Sequence, residues 1–409
     1  MKASHPPISS RHSITAVVGL LVLSIALRPA IVSIGPILLL IQQHFHLNFT
    51  QAALLTSIPD VCMSIFALGA PKLIQRFGTD RCVVVALTLL GASTLLRALS
   101  PSPLFLLGST FLISVGIAVA GALIGGWIKS HFPHRAAFFM GIYAAGLSLG
   151  ATLGAVFAAP IAELTQSWRF SAGVWSILCV TAVISWVWMS RYFVTGAQGA
   201  KTHIKPAVPL PWADPQAWLV ALNFGAGQFV VYALFAWLAP ASSETAISQL
   251  PSGVLLGVFT AVFAIASVGA GMMPGNAHDR RLMLGASSLL AALGMGGLWL
   301  APGLAPTLYV VLAAIGLGMG FTVAMTLPLD NVATPEQASA WTVFMLFIGY
   351  LIAALGPLSF GALRDHTASY TLSYEMLFAV TVLMVCFAPM LKPARTSRLA
   401  ATIERKLMR

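Results

Sequence analysis

The chain has 409 residues, of which 58% are hydrophobic and only 8% are charged, whereas soluble domains carry about 25% charged residues. This composition excludes an ordinary soluble domain and indicates an integral membrane protein. The net charge of +11 would suit nucleic-acid binding if the basic residues formed one patch, but they stand between apolar runs, so we expect no nucleic-acid partner.

Apolar segments recur along the whole chain, and each is long enough to cross a hydrocarbon core of about 30 Å, which needs about 20 helical residues. The first six lie near residues 14–41, 51–74, 82–100, 103–127, 136–160 and 170–192. The next six lie near residues 216–240, 250–273, 282–301, 306–329, 338–362 and 372–391. We predict an all-α membrane protein with twelve transmembrane helices in two six-helix bundles.

A polar, proline-containing stretch at residues 193–214 separates the two sets and is predicted to be a cytoplasmic linker. The predicted organisation is a cytoplasmic N-terminus (1–13), a first bundle (14–192), the linker, a second bundle (215–391) and a basic cytoplasmic tail (392–409). The apolar run that follows Lys2 and Arg11 continues without a polar mature region, so we interpret it as an uncleaved first span.

The basic residues sort strongly by loop. When the loops are numbered alternately, all but four of the 22 Lys and Arg residues fall on one side, and the exceptions are Arg28, Arg97, Arg169 and Arg364. By the positive-inside rule this side is the cytoplasm, and both termini face it. We expect a multi-pass protein of a bacterial-type inner membrane.

The two halves also show a weak internal sequence repeat at an offset of 200 residues. Gly69-Ala70 corresponds to Gly269-Ala270, and Gly116 in the fourth span corresponds to Gly316 in the tenth. Two repeated six-helix halves with a substrate site between them near the midplane are the plan of a major facilitator transporter.

Particular residues strengthen this interpretation. The chain resembles the cyanate permease and 2-nitroimidazole transporter family of the major facilitator superfamily (MFS) in Arg28-Pro29, Ser33, Gly35-Pro36, Ala52 to Thr56, Pro59, Leu96-Arg97, Phe224-Gly225, Tyr232, Trp237-Leu238, Leu327, Leu329-Asp330, Gly349 and Gly356-Pro357. The resemblance implies a transporter of a small organic anion or small polar compound. The chain departs from the family pattern at positions expected to line a cavity, with Gly121 in place of Asn or Gln, Gly125 in place of Pro, and Leu346 in place of Gln.

Two charged residues are predicted to lie near the membrane midplane. Arg28 stays charged at physiological pH, so it needs a partner, a cavity or a ligand, and we favour binding of a substrate anion over a structural ion pair. Asp60 in the second span stands where the family usually has an apolar residue. It is either a titratable group that takes up a proton during transport or a counter-ion of Arg28.

Other polar residues are weaker candidates for substrate binding. Asn223, Gln228 and Tyr232 bring hydrogen-bonding groups into the seventh span, and Gln228 and Tyr232 share a helix face. Interhelical hydrogen bonding is an equally good explanation for them. Tyr143, Trp127, Trp341 and Tyr350 are candidates for an aromatic lining, although most aromatic residues in such a chain serve packing.

Three further features have mainly structural interpretations. Pro29 and Pro36 are expected to break or kink the first span. Arg97 and Arg169 are expected near an interface, where their side chains reach water or headgroups. The glycines of the fifth span, Gly146, Gly150 and Gly154, favour close helix packing, including contact between the two halves.

At the cytoplasmic side, Arg76, Arg81 and Asp330 are candidate gating residues, although a solvated charge cluster is the simpler interpretation. No phosphate-binding loop is present, because Gly125 to Ser130 lacks a glycine before its lysine, and the loop histidines lack the further ligands of a metal site. We therefore expect a protein that is not an enzyme and has no cofactor or metal.

These features predict a secondary active transporter of a small organic anion or small polar compound that works by alternating access. The alternative is a proton-coupled drug or antibiotic efflux pump of the same fold. A non-transporting sensor would need a signalling domain of about 50 residues or more, for which the linker and tail leave no room. The expected partners are a small molecule, the lipid bilayer and, under the Asp60 hypothesis, protons, with the protein as a monomer.

Overall fold

The computed structural model describes residues 10–132, 135–197, 209–245, 250–272, 280–332 and 334–391. In this part of the chain the helices are α1 Ser10–Leu27, α2 Pro29–Val32, α3 Ile34–Phe45, α4 Phe49–Phe77, α5 Thr79–Ala98, α6 Pro103–His131, α7 Ala136–Thr165, α8 Trp168–Gly173, α9 Ser176–Ala197, α10 Pro215–Thr245, α11 Ser252–Met272, α12 Arg280–Leu300, α13 Pro306–Asn331, α14 Pro335–Thr367 and α15 Thr371–Phe387. A short 3-10 helix, Ala388–Met390, follows α15.

The described residues contain twelve candidate spans that are long and apolar enough to cross a membrane, which confirms the predicted number. Span 1 consists of α1 to α3 and span 6 of α8 and α9, whereas spans 2 to 5 are α4 to α7 and spans 7 to 12 are α10 to α15. Helix α9 runs to Ala197 and therefore enters the predicted linker, whose residues 198–208 lie outside the described part of the chain.

Span 1 is broken in the middle of its length. Helix α1 ends at Leu27 and α2 begins at Pro29, because proline has no backbone N–H and its ring clashes with the preceding helical turn. A second interruption at Ser33 separates α2 from α3. The predicted break at Pro29 is confirmed, while Pro36 lies in the first turn of α3, where proline is tolerated, and the helix continues through it.

Spans 1 to 6 form one half of the molecule and spans 7 to 12 the other. Span 1 packs against spans 5 and 6 in the first half, and span 7 packs against span 11 in the second. The halves meet where span 2 packs on span 11, span 5 on span 8, and α3 on span 7. A residue in the middle of span 1 can therefore face side chains from both halves.

The glycine face of span 5 contacts span 1, not the other half. A Cβ atom on Gly146 would meet Ser24, one on Gly150 would meet the backbone of Ile25, and one on Gly154 would meet Pro29. Close packing is thus what these glycines provide, whereas the suggested contact between halves at this face is wrong. The contact of span 5 with span 8 uses other residues, such as Thr152, whose hydroxyl lies 2.9 Å from that of Thr260.

Candidate functional site

Arg28 occupies the break in span 1 and faces both halves. Its Nη1 donates a hydrogen bond of 3.3 Å to the Tyr232 hydroxyl of span 7. Tyr143 of span 5 and Tyr350 of span 11 also lie within electrostatic range of its guanidinium. Arg28 is half-buried in the middle of the bundle, so a permanent positive charge lies among three tyrosines.

Asp60 of span 2 lies beside this cluster. Its side chain is fully buried, and neither carboxylate oxygen has a hydrogen-bond partner among the described residues. Arg28 and Tyr232 are close enough to interact with it electrostatically, but Arg28 and Asp60 form no ion-pair contact. A buried carboxylate without hydrogen bonds is costly when it is ionised, and the positive charge of Arg28 offsets part of that cost.

Arg97 differs from the expectation of an interfacial side chain. It is only 1% exposed, and it donates hydrogen bonds to the Ala30 carbonyl at 2.5 Å and to the Thr110 hydroxyl at 3.2 Å. Ala30 belongs to α2, the short helix between the two interruptions of span 1. The prediction was wrong because span 1 offers a carbonyl group to the guanidinium in the protein interior, so the side chain has no need to reach the interface.

Arg169 also has protein partners. Its guanidinium donates a hydrogen bond of 2.8 Å to the Ser100 carbonyl and lies 3.2 Å from His44 Nε2. It also packs over the ring of Trp168, with 4.6 Å to the ring centroid. The side chain thereby connects spans 1 and 6 with the loop that follows span 3.

Gln228 and Asn223 are placed differently from Tyr232. Both line a small cavity between spans 7, 10 and 12, together with apolar residues such as Phe321 and Met384. The Asn223 Nδ2 atom is buried and has no hydrogen-bond partner among the described residues. Of the predicted binding residues, the structure brings Arg28, Tyr232 and Tyr143 together, and it places the two amides in a separate cavity.

The three candidate gating residues do not meet one another. Asp330 forms an ion pair with Arg280 at 2.5 Å, and both residues belong to the second half. Arg76 and Arg81 are exposed, and the Arg76 guanidinium lies over the ring of Phe77. A role of these residues in gating stays a prediction.

A contact between the halves lies at the end of the bundle that carries residues 46–48, which we call the outer end. Asp365, close to the last turn of span 11, accepts hydrogen bonds of 2.8 Å from the backbone N–H groups of Phe49 and Thr50 and one of 2.6 Å from the Thr50 hydroxyl. Phe49 and Thr50 begin span 2. A carboxylate of one half therefore caps the positive N-terminus of a helix in the other half.

Arg364 reinforces the same contact. Its guanidinium lies 4.8 Å from the ring centroids of both Phe49 and Tyr370 and bonds to Glu244 of span 7 at 3.1 Å. The Tyr370 hydroxyl donates to Glu244 at 2.8 Å. Burial and this carboxylate raise the pKa of Tyr370 above its ordinary value, so the hydroxyl stays protonated and remains a donor.

We call this group, comprising Glu244, Arg364 and Asp365 with their contacts to Phe49 and Thr50, the outer lock. Sequence reasoning missed it. The available signal was Arg364, one of only four Lys or Arg residues that do not fall on the predicted cytoplasmic side. Its neighbour Asp365 could not be paired with span 2 from the sequence, because more than 300 residues separate them.

The sequence of the chain is similar to a known protein family and to named transporters. Residues 17–357 match the family model of the Major Facilitator Superfamily. The cyanate transport protein CynX of Escherichia coli is 31% identical over 91% of this chain and 97% of its own length. The 2-nitroimidazole transporter of Escherichia coli is 27% identical, over 93% of this chain and 96% of its own length.

Among solved structures, a bacterial homologue of the human lysosomal transporter Spinster superimposes with a TM-score of 0.70. It is 17% identical, and the match covers 94% of this chain and 96% of that protein. At this level of identity the likeness concerns the fold, and it agrees with the twelve spans described above. The chain therefore belongs to the Major Facilitator Superfamily and is a multi-pass membrane transporter.

Proposed function

We propose that this transporter carries a small organic anion, or a small polar compound with anionic character, by alternating access around Arg28. The observation that carries the proposal is the Arg28 guanidinium, which lies in the break of span 1 and is bonded to the Tyr232 hydroxyl of the other half. A guanidinium forms strong charge-assisted hydrogen bonds with carboxylates and similar anions. Tyr143 and Tyr350, which lie near it, add hydroxyl groups from two further spans.

The position of the site suits transport. Arg28 and Tyr143 belong to the first half, whereas Tyr232 and Tyr350 belong to the second. A ligand held by both groups bridges the halves, so a change in the angle between them changes access to the ligand without moving it far. The cyanate transport protein, with 31% identity, is a relative whose name specifies a small anion, which supports this substrate class.

A proton-coupled efflux pump for neutral or cationic drugs is the second candidate. Its support is Asp60, a fully buried carboxylate near the same cluster, since a buried acid can attract a cationic compound. In that case the Asp60→Asn substitution removes drug resistance, and loss of Arg28 has the smaller effect.

The test is flux into proteoliposomes that contain the purified protein. We expect saturable uptake of labelled cyanate or of a short carboxylate such as pyruvate by the wild type, above the background of protein-free vesicles. Arg28→Ala should reduce this uptake by at least about a hundredfold, because loss of one charge-assisted pair and its orientation costs about 3 kcal/mol.

Arg135→Ala is the matched control, since Arg135 is an exposed arginine of the first half and should transport normally. Circular dichroism and gel filtration of each variant check that it is folded. Normal anion flux through folded Arg28→Ala protein would contradict the proposed role of Arg28, and flux of cationic drugs alone would favour the second candidate.

A further inference from the structure

The cavity between spans 7, 10 and 12 lies apart from the anion site around Arg28. Span 7 contributes two amide side chains to its lining, those of Asn223 and Gln228. Both residues are buried, with 2% of Asn223 and 5% of Gln228 exposed. Spans 10 and 12 contribute glycine and apolar side chains, among them Phe321 and Met384. One helix therefore brings two amides into an otherwise apolar space.

Gly227 of span 7 leaves the space beside these amides open. It lies one helical turn after Asn223 and directly before Gln228, and it has no side chain to fill the gap that faces span 12. A Cβ atom built on Gly227 would meet the terminal methyl group of Met384 at 3.4 Å. The free space that remains is about the size that one water molecule needs.

The Asn223 side chain lacks a hydrogen-bond partner in this cavity. Its Nδ2 atom is buried and donates to no acceptor among the described residues, although a primary amide carries two N–H donors. An amide that is buried without a compensating hydrogen bond is destabilising, and buried polar groups in folded proteins are nearly always bonded to protein or to ordered water. The missing partner must therefore come from an occupant of the cavity.

The lining also restricts the charge of that occupant. The described residues that line the cavity include no acidic, basic or histidine side chain. An ion would find no opposite charge there, and an unbalanced charge in the membrane interior is costly. A small neutral molecule that both donates and accepts hydrogen bonds suits the two amides, and water is the molecule of the right size.

We propose that this cavity holds one ordered water molecule that hydrogen-bonds to the side chains of both Asn223 and Gln228. Gln228 lies one helical turn before Tyr232, the tyrosine bonded to Arg28, so the water stabilises the part of span 7 next to the anion site. The inference requires no particular transported substrate, because the residues that line the cavity are different from those that surround Arg28.

The direct test is a density map of the full-length wild-type protein in detergent, at a resolution that shows ordered water. We expect one compact density feature within about 2.7–3.2 Å of an amide atom of Asn223 and of one of Gln228. An empty cavity overturns the proposal. Density that reaches only one of the amides, or elongated density that continues toward the lipid as an acyl or detergent chain would, overturns it as well.

X-ray radiolysis of the same protein measures hydration independently of a map. Irradiation converts bound water into hydroxyl radicals, which oxidise a neighbouring methionine to its sulfoxide. Met384 lines the cavity, whereas Met295 of span 9 is fully buried and does not line it. Peptide mass spectrometry should show Met384 oxidised at least about fivefold faster than Met295. Equal rates for the two methionines would contradict the presence of water.

The Asn223→Leu substitution tests the same point through stability, since the two side chains have similar volumes. In an empty cavity, leucine removes an unpaired donor and the melting temperature should rise. In a hydrated cavity, it removes one partner of the water and leaves Gln228 unpaired, so we expect the melting temperature to fall by at least about 2 °C. An unchanged or higher melting temperature overturns the proposal.

The double variant Asn223→Leu/Gln228→Leu checks that both amides share the water. It should recover part of the melting temperature lost in Asn223→Leu, because neither position then needs the water, and its Met384 oxidation should fall to the rate of Met295. Ser288→Ala, which removes a buried hydroxyl of span 9 outside the lining, should keep wild-type Met384 oxidation. Wild-type oxidation of Met384 in the double variant would contradict the proposal. The two wild-type measurements decide the question even if a variant fails to fold.

Discussion

At the residue scale, two arginines in the interior of the bundle have different surroundings. Arg28 is half-buried and bonds to a tyrosine of the other half. Arg97 is buried, and its guanidinium donates hydrogen bonds to the Ala30 carbonyl and the Thr110 hydroxyl within its own half. The first arrangement leaves donors for a ligand, whereas the second fixes the backbone of α2, which immediately follows Arg28.

We predict that Arg97→Met lowers both stability and anion affinity. The substitution leaves the Ala30 carbonyl without this donor, and a buried hydrogen bond to a charged group contributes about 1.5–3 kcal/mol. The melting temperature in detergent should fall, and the KM for the transported anion should rise because α2 no longer holds Arg28 in place. Arg97→Lys should recover part of the melting temperature and part of the anion affinity. Arg191→Met, at an exposed position, is the control. Unchanged KM in folded Arg97→Met protein would contradict the positioning role.

At the element scale, span 1 depends on the small residues of span 5. A helix interrupted at Arg28 and Ser33 cannot satisfy all its backbone groups internally. Span 5 presents glycines to it, so the two helices pack closely and span 1 is stabilised. Gly150 provides this approach, because a Cβ atom there would collide with the backbone of Ile25. Backbone cannot move aside as the end of a flexible side chain can.

Gly150→Ala is therefore expected to destabilise the protein. Overpacking of this kind costs about 1–3 kcal/mol, even though alanine favours helix by about 1 kcal/mol over glycine. Thermal unfolding followed by circular dichroism should show the loss. Gly141→Ala on the same helix is the matched control, because no atom lies within 4 Å of a Cβ atom built there, and its stability should be equal or slightly higher. Equal melting temperatures for the two variants would be inconsistent with this packing.

At the scale of the whole molecule, the outer lock joins the halves across the span 2 and span 11 contact. Asp365 holds the backbone of Phe49 and Thr50, while Arg364 stacks on the Phe49 ring and bonds to Glu244. These interactions tie together helix ends that must separate if the outer end opens. The lock thus contributes to the free-energy difference between the outer-closed and outer-open states.

We predict that Asp365→Ala shifts this equilibrium toward the outer-open state by about fivefold, or ~1 kcal/mol, a modest value because the group is exposed to solvent. Spin labels at Leu164 of the first half and Leu304 of the second, both highly exposed, should report a larger population at long distance in a background without native cysteines. Glu375→Ala, which removes an exposed carboxylate near the start of span 12, is the control. An identical distance distribution in Asp365→Ala and wild type would show that the lock does not restrain the outer end.

The sequence alone predicted the twelve spans, the break at Pro29 and the position of an arginine in the middle of span 1. These features are local, because the thickness of the bilayer sets the length of each apolar run and proline acts within its own helical turn. It also predicted Tyr232 and Tyr143 as candidates for the site that the structure brings to Arg28. Span length and the proline break are therefore set by the bilayer and the local backbone, independently of how the helices pack.

Tertiary structure decided which side chains meet. The Arg28 and Tyr232 hydrogen bond joins residues 204 positions apart, and the Asp365 cap joins residues 316 apart. The burial of Arg97, the separation of Gln228 from Tyr232 and the partner of the span 5 glycines likewise depend on how helices rotate and pack. A sequence pattern specifies the face of one helix, but the neighbour of that face is set by the packing of all the others, which is why those predictions failed or stayed open.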